Sequence, residues 1–178
     1  MRDPLPDSID PRRYLGTGGG LSGVWPAARC QRVLSVAKRV LSDVSLECMP
    51  VADGAYIRLD GRISVELELC CQRCLQSMRW RLQDELRLLL VPVNTVVADR
   101  DDCELLELNE QARIDTGEWI EDEVILRIPS VPVHNRKQDC DPDMLERAHE
   151  FDLGSAGGAT MDENPFAILQ GWKRNERD

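Results

Sequence analysis

Two stretches of strict alternation between apolar and polar residues dominate this chain. In the first, apolar side chains occupy the odd positions of 57–69 except Gly61, with charged or hydroxyl side chains between them. In the second, they occupy the even positions of 78–90, and only Asp84 interrupts the apolar side. A period of two residues is typical of a half-buried strand. The pattern predicts two long antiparallel strands joined by the loop 71–77, with a bend at Gly61 in the first strand.

Shorter patterns predict further elements on either side of this pair of strands. Apolar residues alternate with polar ones across 44–48, which indicates another strand. The acidic stretch 99–110 indicates a loop that passes into a short strand, and a short helix is expected from Asp141. Together these elements predict an α+β fold, in which an antiparallel β-sheet or a partly closed β-barrel forms the core beside short helices.

The chain is predicted to form a single domain over residues 1–178, because two full domains would be cramped at this length. Its core is expected at 31–150. Residues 1–30 are expected to form a basic arm, hinged at the glycine-rich joint 17–23, because glycine loses the most conformational freedom on ordering. Residues 151–178 are expected to form a linker and a short C-terminal helix.

One helix is marked by signals at both of its ends. Asp115 stands as an N-cap with Glu118 three residues later, which predicts a helix over 116–127. Pro129 ends it by restricting the preceding residue. Carboxylates away from its apolar side form a candidate docking surface for a basic partner, and a solvated helix start is the alternative. The candidate partner-binding residues of this helix and of the C-terminal tail are Glu118, Glu121, Asp122, Pro165, Phe166 and Leu169.

The charge of the chain limits its partners. The formal net charge is -10 and the pI is about 4.7, which argues against a protein that coats DNA or RNA through bulk electrostatics. Basic side chains are nevertheless frequent near the N terminus and on the polar side of the long strands. They form a candidate RNA contact, with a solvated arm and cross-strand ion pairs as the alternatives. The candidate RNA-binding residues are Arg12, Arg13, Arg79 and Arg81.

Cysteine usage and hydropathy indicate the cellular compartment. Seven cysteines is an odd number, and the first residues are not followed by the apolar stretch that a signal peptide requires. No window of about 18 apolar residues predicts a membrane span. We therefore expect a cytoplasmic protein without a membrane partner, whose reduced thiols bind metal or pack rather than form disulfides.

The loop between the long strands contains Cys71 and Cys74, which are separated by two residues. This spacing lets both thiolates point into one turn. A structural zinc ion would need two further ligands, for which His134 and Cys140 are the candidates. Packing of the sulfurs as small apolar groups is the alternative. A third interpretation is a redox pair with Arg73 activating a thiolate, although such pairs require a strand-to-helix setting.

A series of motifs follows one order along the chain. They are Leu5-Pro6, Ile9-Asp10-Pro11-Arg12-Arg13, Cys71-Gln72-Arg73-Cys74, Ile114-Asp115, Glu121-Asp122-Glu123-Val124-Ile125-Leu126, Pro129-Ser130-Val131-Pro132-Val133-His134, Cys140 and Asn164-Pro165-Phe166-Ala167-Ile168-Leu169. In this combination the chain resembles the YceD family, the bacterial large ribosomal RNA subunit accumulation proteins. The resemblance covers nearly the whole chain, and Cys70 beside Cys71 is one of its few departures from the family pattern.

The resemblance implies a cytosolic, non-enzymatic role in the synthesis, processing or stability of 23S rRNA, with no catalytic residues to carry over. Together with the acidic surface, it predicts that the partner is a basic ribosomal protein or an assembly factor of the large subunit. One alternative is direct binding of 23S rRNA or its precursor, with a zinc-stiffened loop. The other is thiol redox activity.

Overall fold

The computed structural model describes residues 3–15, 19–97 and 102–147. These residues fall into two compact units. The larger, which we call the sheet unit, contains the described residues up to 72 together with those of 77–133. The smaller, which we call the loop unit, contains residues 73–76 and the described residues from 134.

The described part of the sheet unit contains eight strands and one α-helix. In chain order they are β1 (Ser8–Ile9), β2 (Leu21–Trp25), β3 (Arg39–Val40), β4 (Val44–Asp53), β5 (Tyr56–Cys70), β6 (Ser77–Pro92), β7 (Glu104–Leu108), β8 (Ile114–Asp115) and α1 (Thr116–Arg127). In the loop unit, the 3₁₀ turn Lys137–Asp139 precedes helical residues at 142–147, which agrees with the expected start near Asp141. Within 3–15, 19–97 and 102–147, no helix is long and apolar enough to cross a membrane.

Six of the strands form one sheet in the order β2, β4, β5, β6 and β7, with β3 paired to β5. The prediction of an α+β fold with a largely antiparallel sheet is confirmed, and the described strands do not close into a barrel. β7 departs from the prediction because it runs parallel to β6. The 11 residues between Pro92 and Glu104 approach the length of about a dozen that a parallel crossover requires.

The long hairpin of β5 and β6 has the register that the alternation predicts. The pairs run from Ile57 opposite Leu90 to Leu69 opposite Met78, so the apolar side chains of both strands share one face. We call this the core face and the opposite one the outer face. Apolar residues of β4 continue the core face, where Leu46 is fully buried. A slip of one residue would turn all these side chains to solvent, which is why the register is well specified.

The helix α1 begins and ends where the sequence predicts. The Asp115 carboxylate accepts a hydrogen bond from the Glu118 backbone N–H at 3.0 Å. At the other end, Arg127 donates from Nε to Asp84, the one residue that interrupts the core face of β6, at 3.1 Å. Arg127 also contacts the buried carboxylate of Glu123. Asp84, which is itself exposed, therefore has a charged partner beside the core face.

The N-terminal segment is not the hinged, solvated arm that its charge and glycines suggested. β1 pairs with β8, and Leu5 and Ile9 are buried in the sheet unit. The described part of the glycine-rich joint includes the first residues of β2, which pairs with β4. Burial of these apolar side chains outweighs the basic character of the segment, because each contributes about 1.5–3 kcal/mol when removed from water.

Gly61 lies where neighbouring strands approach closely. β5 continues through this position, which pairs with Cys48 on one side and Leu86 on the other. A Cβ atom here would lie 2.2 Å from the Glu47 carbonyl oxygen and 2.5 Å from the Cys48 sulfur. Glycine is therefore required at this position because its neighbours approach closely.

Candidate functional site

The Cys loop, residues 71–76, connects β5 to β6 as predicted. The Gln72 backbone N–H donates to the carbonyl oxygen of Pro132 at 2.8 Å, which attaches the start of the loop to the chain just before His134. Leu75 has a φ of 59°, in the left-handed region that costs a residue other than glycine of order 1–3 kcal/mol. The loop conformation is therefore strained, and the surrounding contacts maintain it.

Three potential metal-ligand atoms of the loop unit lie close together. The Sγ atoms of Cys74 and Cys140 lie 3.5 Å and 3.6 Å from Nδ1 of His134. Cys71, three residues before Cys74 on the same loop, completes a group of four in which all ligand atoms lie within 4.8 Å of one another. The three cysteines are buried and His134 is half-buried. The structure thus brings together the four residues that the sequence offered as zinc ligands.

The geometry of this Cys/His cluster fits a tetrahedral metal ion. With a Zn–S distance of about 2.3 Å and a Zn–N distance of about 2.0–2.1 Å, tetrahedral angles place sulfur and nitrogen about 3.5 Å apart. Both sulfur-to-nitrogen distances to His134 agree with this value. Three thiolates and one imidazole form the closed donor set of a structural zinc site, with no position kept open for a substrate.

Charged side chains next to the cluster act in two different ways. Arg73 donates from Nη1 to the sulfur of Cys140 at 3.9 Å, which favours the thiolate form that a metal requires. Asp139 is held by Arg136, whose Nε and Nη2 lie 3.0 Å and 2.9 Å from its carboxylate oxygens. The hydrogen bond from Arg136 lowers the pKa of Asp139. The carboxylate of Asp139, which directly precedes Cys140, is therefore engaged by an arginine.

The setting of the Cys pair also bears on the redox interpretation. Cys71 and Cys74 lie between two strands, whereas a thioredoxin-type pair requires a strand that leads into a helix. The nearby imidazole and third thiol are the ligands that a soft metal such as zinc prefers. The site therefore favours metal binding over thiol exchange.

Comparison with known proteins shows which family the chain resembles. The family model described as "Large ribosomal RNA subunit accumulation protein YceD" matches residues 59–173, which include most of β5, the Cys loop, α1 and all four members of the Cys/His cluster. The chain belongs to the YceD family. A relative from Haemophilus influenzae, named "Large ribosomal RNA subunit accumulation protein YceD", is 27% identical over 96% of this chain and 97% of its own length. No solved structure matches the chain.

In this YceD chain the predicted docking carboxylates of α1 have separate roles. Glu118 is exposed, as expected. Glu121 was expected to face away from the core, and that prediction is wrong: its Oε2 accepts hydrogen bonds from the backbone N–H groups of Arg32 and Val33 at 2.6 Å and 3.1 Å. Asp122 accepts from the Arg32 guanidinium at 2.5 Å. A buried carboxylate is stable here because it satisfies two backbone donors.

Sequence analysis assigned no role to Glu123, a buried polar residue of the same helix. Glu123 accepts from the Trp119 indole at 3.1 Å and pairs with Arg127. Burial raises the pKa of Glu123, and Arg127 opposes that rise. The signal that could have revealed this group is the spacing of four residues that joins Glu123 both to Trp119 and to Arg127 on one side of the helix. We assign these contacts to packing of the YceD fold.

The predicted RNA-binding arginines lie on two separate elements. Arg12 and Arg13 are exposed in the 3₁₀ turn Pro11–Tyr14, and Arg13 Nε lies 3.7 Å from Asp10. Arg79 and Arg81 are exposed on the outer face of β6. The predicted tail contacts Pro165, Phe166 and Leu169 lie outside the residues that the structure describes.

Proposed function

We propose that this YceD chain is a non-enzymatic factor for accumulation of 23S rRNA, acting in its synthesis, processing or stability through a protein partner or a pre-ribosomal particle. Family membership supports the rRNA role, as does the name of the Haemophilus influenzae relative. The net charge of -10 supports a basic protein partner, because it disfavours contact with bare RNA phosphates. A basic ribosomal protein or an assembly factor of the large subunit has this chemistry.

The Cys/His cluster is the observation that carries the structural part of this proposal. Cys71, Cys74, His134 and Cys140 would hold a zinc ion that fixes the Cys loop and the chain segment containing His134. When bound, zinc supplies folding energy rather than a reactive centre, because four protein ligands fill its coordination sphere. This arrangement supports a binding protein rather than an enzyme.

The ratio of 23S to 16S rRNA in cells lacking this chain tests the proposal. We expect a selective fall in 23S, which the wild-type chain and a Cys48→Ala control restore and a His134→Ala variant does not. Cys48 is buried like the cluster thiols and lies in the sheet unit. An unchanged ratio in cells lacking the chain would contradict the rRNA role. Full restoration by His134→Ala would contradict the need for the metal site.

Direct binding of 23S rRNA or its precursor is the second candidate, favoured by the arginines at the Cys-loop end of the outer face. Arg79 and Arg81 form no ion pair within 3–15, 19–97 and 102–147, and they lie opposite Glu68 and Glu66 in the register. Glu68 is itself 3.8 Å from Arg39. This end of the outer face therefore carries more basic than acidic groups, and single-stranded RNA would contact it through phosphates.

Binding of purified chain to a 23S rRNA fragment at several salt concentrations separates the two candidates. If RNA is the direct ligand, the double substitution of Arg79 and Arg81 by Gln should weaken binding and reduce the salt slope by about two. Arg62→Gln, which removes one charge elsewhere on the outer face, is the control. Equal binding by wild-type and double variant would dismiss this candidate.

A further inference from the structure

A cleft of about 400 Å³ in the sheet unit lies where the end of β7 and the strand β8 meet the first turns of α1. None of its lining residues belongs to the Cys/His cluster. Half of the lining is apolar: Leu108, Ile114 and Trp119 are buried, and Leu106 is half-buried. Val93, just after the end of β6, is 43% exposed and also lines the cleft. The cleft therefore offers an apolar surface to a ligand.

Every charged side chain in this lining is acidic. Among the described residues, the charged members are Glu107, Asp115, Glu118 and Asp122. Two of them are already engaged, since Asp115 caps α1 and Asp122 accepts a hydrogen bond from Arg32. Glu107 and Glu118 are exposed, and neither carboxylate has an ion pair or hydrogen bond within 3–15, 19–97 and 102–147. These two carboxylates are therefore available to a cationic ligand.

The two available carboxylates come from different elements. Glu118 lies in the first turn of α1, where the helix dipole favours a negative charge, so helix stability alone accounts for it. Glu107 lies on β7, where no helix dipole favours it, and yet it lines the same cleft. A single metal ion does not fit this arrangement, because the Cys/His cluster is the one group of three or more converging metal ligands in the described part of the chain. A larger ligand that combines positive charge with apolar groups fits both parts of the lining.

We propose that this cleft binds a segment of a protein partner in which aliphatic side chains are flanked by lysine or arginine. Glu107 and Glu118 provide charge complementarity, and the apolar lining accommodates the aliphatic groups. An RNA phosphate would meet only acidic groups among the charged lining residues that the structure describes. The inference rests on the proposed function in one respect, namely that the chain acts through a protein partner. It identifies the surface used and the chemistry of the segment that this surface recognises.

Fluorescence anisotropy with the full-length chain tests the inference. The probe is a short fluorescein-labelled peptide in which leucines are flanked by lysines. It is compared with a glutamate–leucine peptide, with a lysine–serine peptide and with a single-stranded RNA oligonucleotide. We expect the lysine–leucine peptide to bind at least about tenfold more tightly than each of the other three, because it alone complements both the charged and the apolar lining.

Substitutions in the lining locate the binding site. The double reversal Glu107→Lys with Glu118→Lys should weaken binding of the lysine–leucine peptide by about tenfold, since charges at an interface act on encounter and specificity. A lysine in the first turn of α1 opposes the helix dipole, so the neutral pair Glu107→Gln with Glu118→Gln is measured as well and should weaken binding by about threefold. Val93→Ser should also weaken it by about threefold, because an apolar contact is lost.

The matched control reverses two carboxylates outside the cleft, Glu66→Lys with Glu85→Lys, and changes the net charge by the same amount as the cleft reversal. Glu85 lies five residues before Leu90, the partner of Leu106, which is about 16 Å along β6. Glu66 lies opposite Arg81, still farther along that strand.

We expect the control to bind the lysine–leucine peptide within about twofold of wild type, because exposed charges at this distance are screened. Equal weakening by both double reversals would overturn the cleft in favour of bulk charge. Failure of the lysine–leucine peptide to bind would also overturn it, as would equal binding of the lysine–serine peptide or tighter binding of the RNA.

A parallel measurement separates this inference from the proposed function. If the wild-type chain does not bind the lysine–leucine peptide but restores 23S rRNA in cells lacking it, the cleft inference fails and the proposed function stands. If it binds the peptide as expected but the 23S to 16S ratio never depends on the chain, the proposed function fails and the cleft inference stands.

Discussion

Two groups of buried cysteines in this chain have different surroundings. Cys74 and Cys140 lie beside Nδ1 of His134, with Cys71 in the same cluster. Cys30 and Cys48 are equally buried, but in the described residues neither belongs to a group of metal-ligating side chains. Burial alone therefore does not identify a ligand. The convergence of several sulfur and nitrogen donors on one point does.

The isolated thiols are held in the protonated form by their surroundings. Burial raises the pKa of Cys48 to about 12, with Glu123 as a further cause. Burial raises the pKa of Cys30 to about 11, with Glu121 and Asp43 adding to the rise. A thiol in this environment packs as a small apolar group, whereas a metal ligand must lose its proton.

The largest expected effect is on metal affinity when a cluster residue is removed. Titration with Co²⁺ should give the absorption of a tetrahedral thiolate site in the wild-type chain. His134→Ala should lower the affinity by more than about 100-fold, beyond the 10–100-fold that changes outside the ligand set cost. Cys48→Ala is the control and should bind Co²⁺ as the wild type does. Similar affinities in all three proteins would abolish the distinction between the two groups of cysteines.

Thiol reactivity tests the same difference, between the cluster cysteines and the isolated buried cysteines, within one molecule. Of the seven cysteines, Cys70 and Cys103 are half-buried and should react first with a thiol reagent. A strong chelator should then release the three cluster thiols, because metal no longer protects them. The last two, Cys30 and Cys48, should react only after denaturation. Reaction of all five buried thiols at one rate, with or without chelator, would show that no metal distinguishes them.

Alkaline pH should destabilise the fold through the isolated thiols. The raised pKa of Cys48 means that the folded chain keeps a proton which the unfolded chain loses near pH 9. This contribution to stability is complete below pH 9 and is lost as the pH rises toward 12. The free energy of unfolding should fall by up to about 1.4 kcal/mol per pH unit for this group. Urea unfolding from pH 8 to about 10.5 measures the slope.

A variant without the Cys48 thiol is the control for this dependence of stability on pH. Cys48→Ala should flatten the alkaline dependence, while lowering stability by about 1 kcal/mol at neutral pH through lost packing. An identical slope in Cys48→Ala and wild type would mean that Cys48 does not retain its proton on folding.

The smallest expected effect concerns Arg73, which contacts the Cys140 sulfur without being a ligand. Arg73→Gln should weaken zinc binding by about tenfold, because a positive charge no longer favours the thiolate. Arg136→Gln, on a loop-unit arginine that pairs with Asp139, should change zinc affinity much less. Competition with a chromophoric chelator measures both, and a greater loss in Arg136→Gln would contradict the role of Arg73.

The features that the sequence predicted are those set by local patterns. Alternation across 57–69 and 78–90 determines the hairpin and its register, and the hairpin places Cys71 and Cys74 in one loop. The cap at Asp115 determines the start of α1. In each case the residues that form the element also carry the signal.

The features that were missed depend on contacts distant in sequence. Glu121 resembles any exposed helix carboxylate until the backbone N–H groups of Arg32 and Val33 are placed against it. The parallel direction of β7 depends on the path of a connection that has no periodicity. The burial of Ile9 depends on pairing with β8, more than 100 residues later in the chain. Tertiary packing overrides local composition at these positions.

The zinc content of tag-free, full-length chain, purified under reducing conditions, is the most direct test of the central claim that the Cys/His cluster is a structural metal centre. The account predicts one zinc ion per chain, retained by Cys48→Ala and lost in His134→Ala. Wild-type chain that contains no stoichiometric zinc, and takes up none when it is supplied, would contradict it.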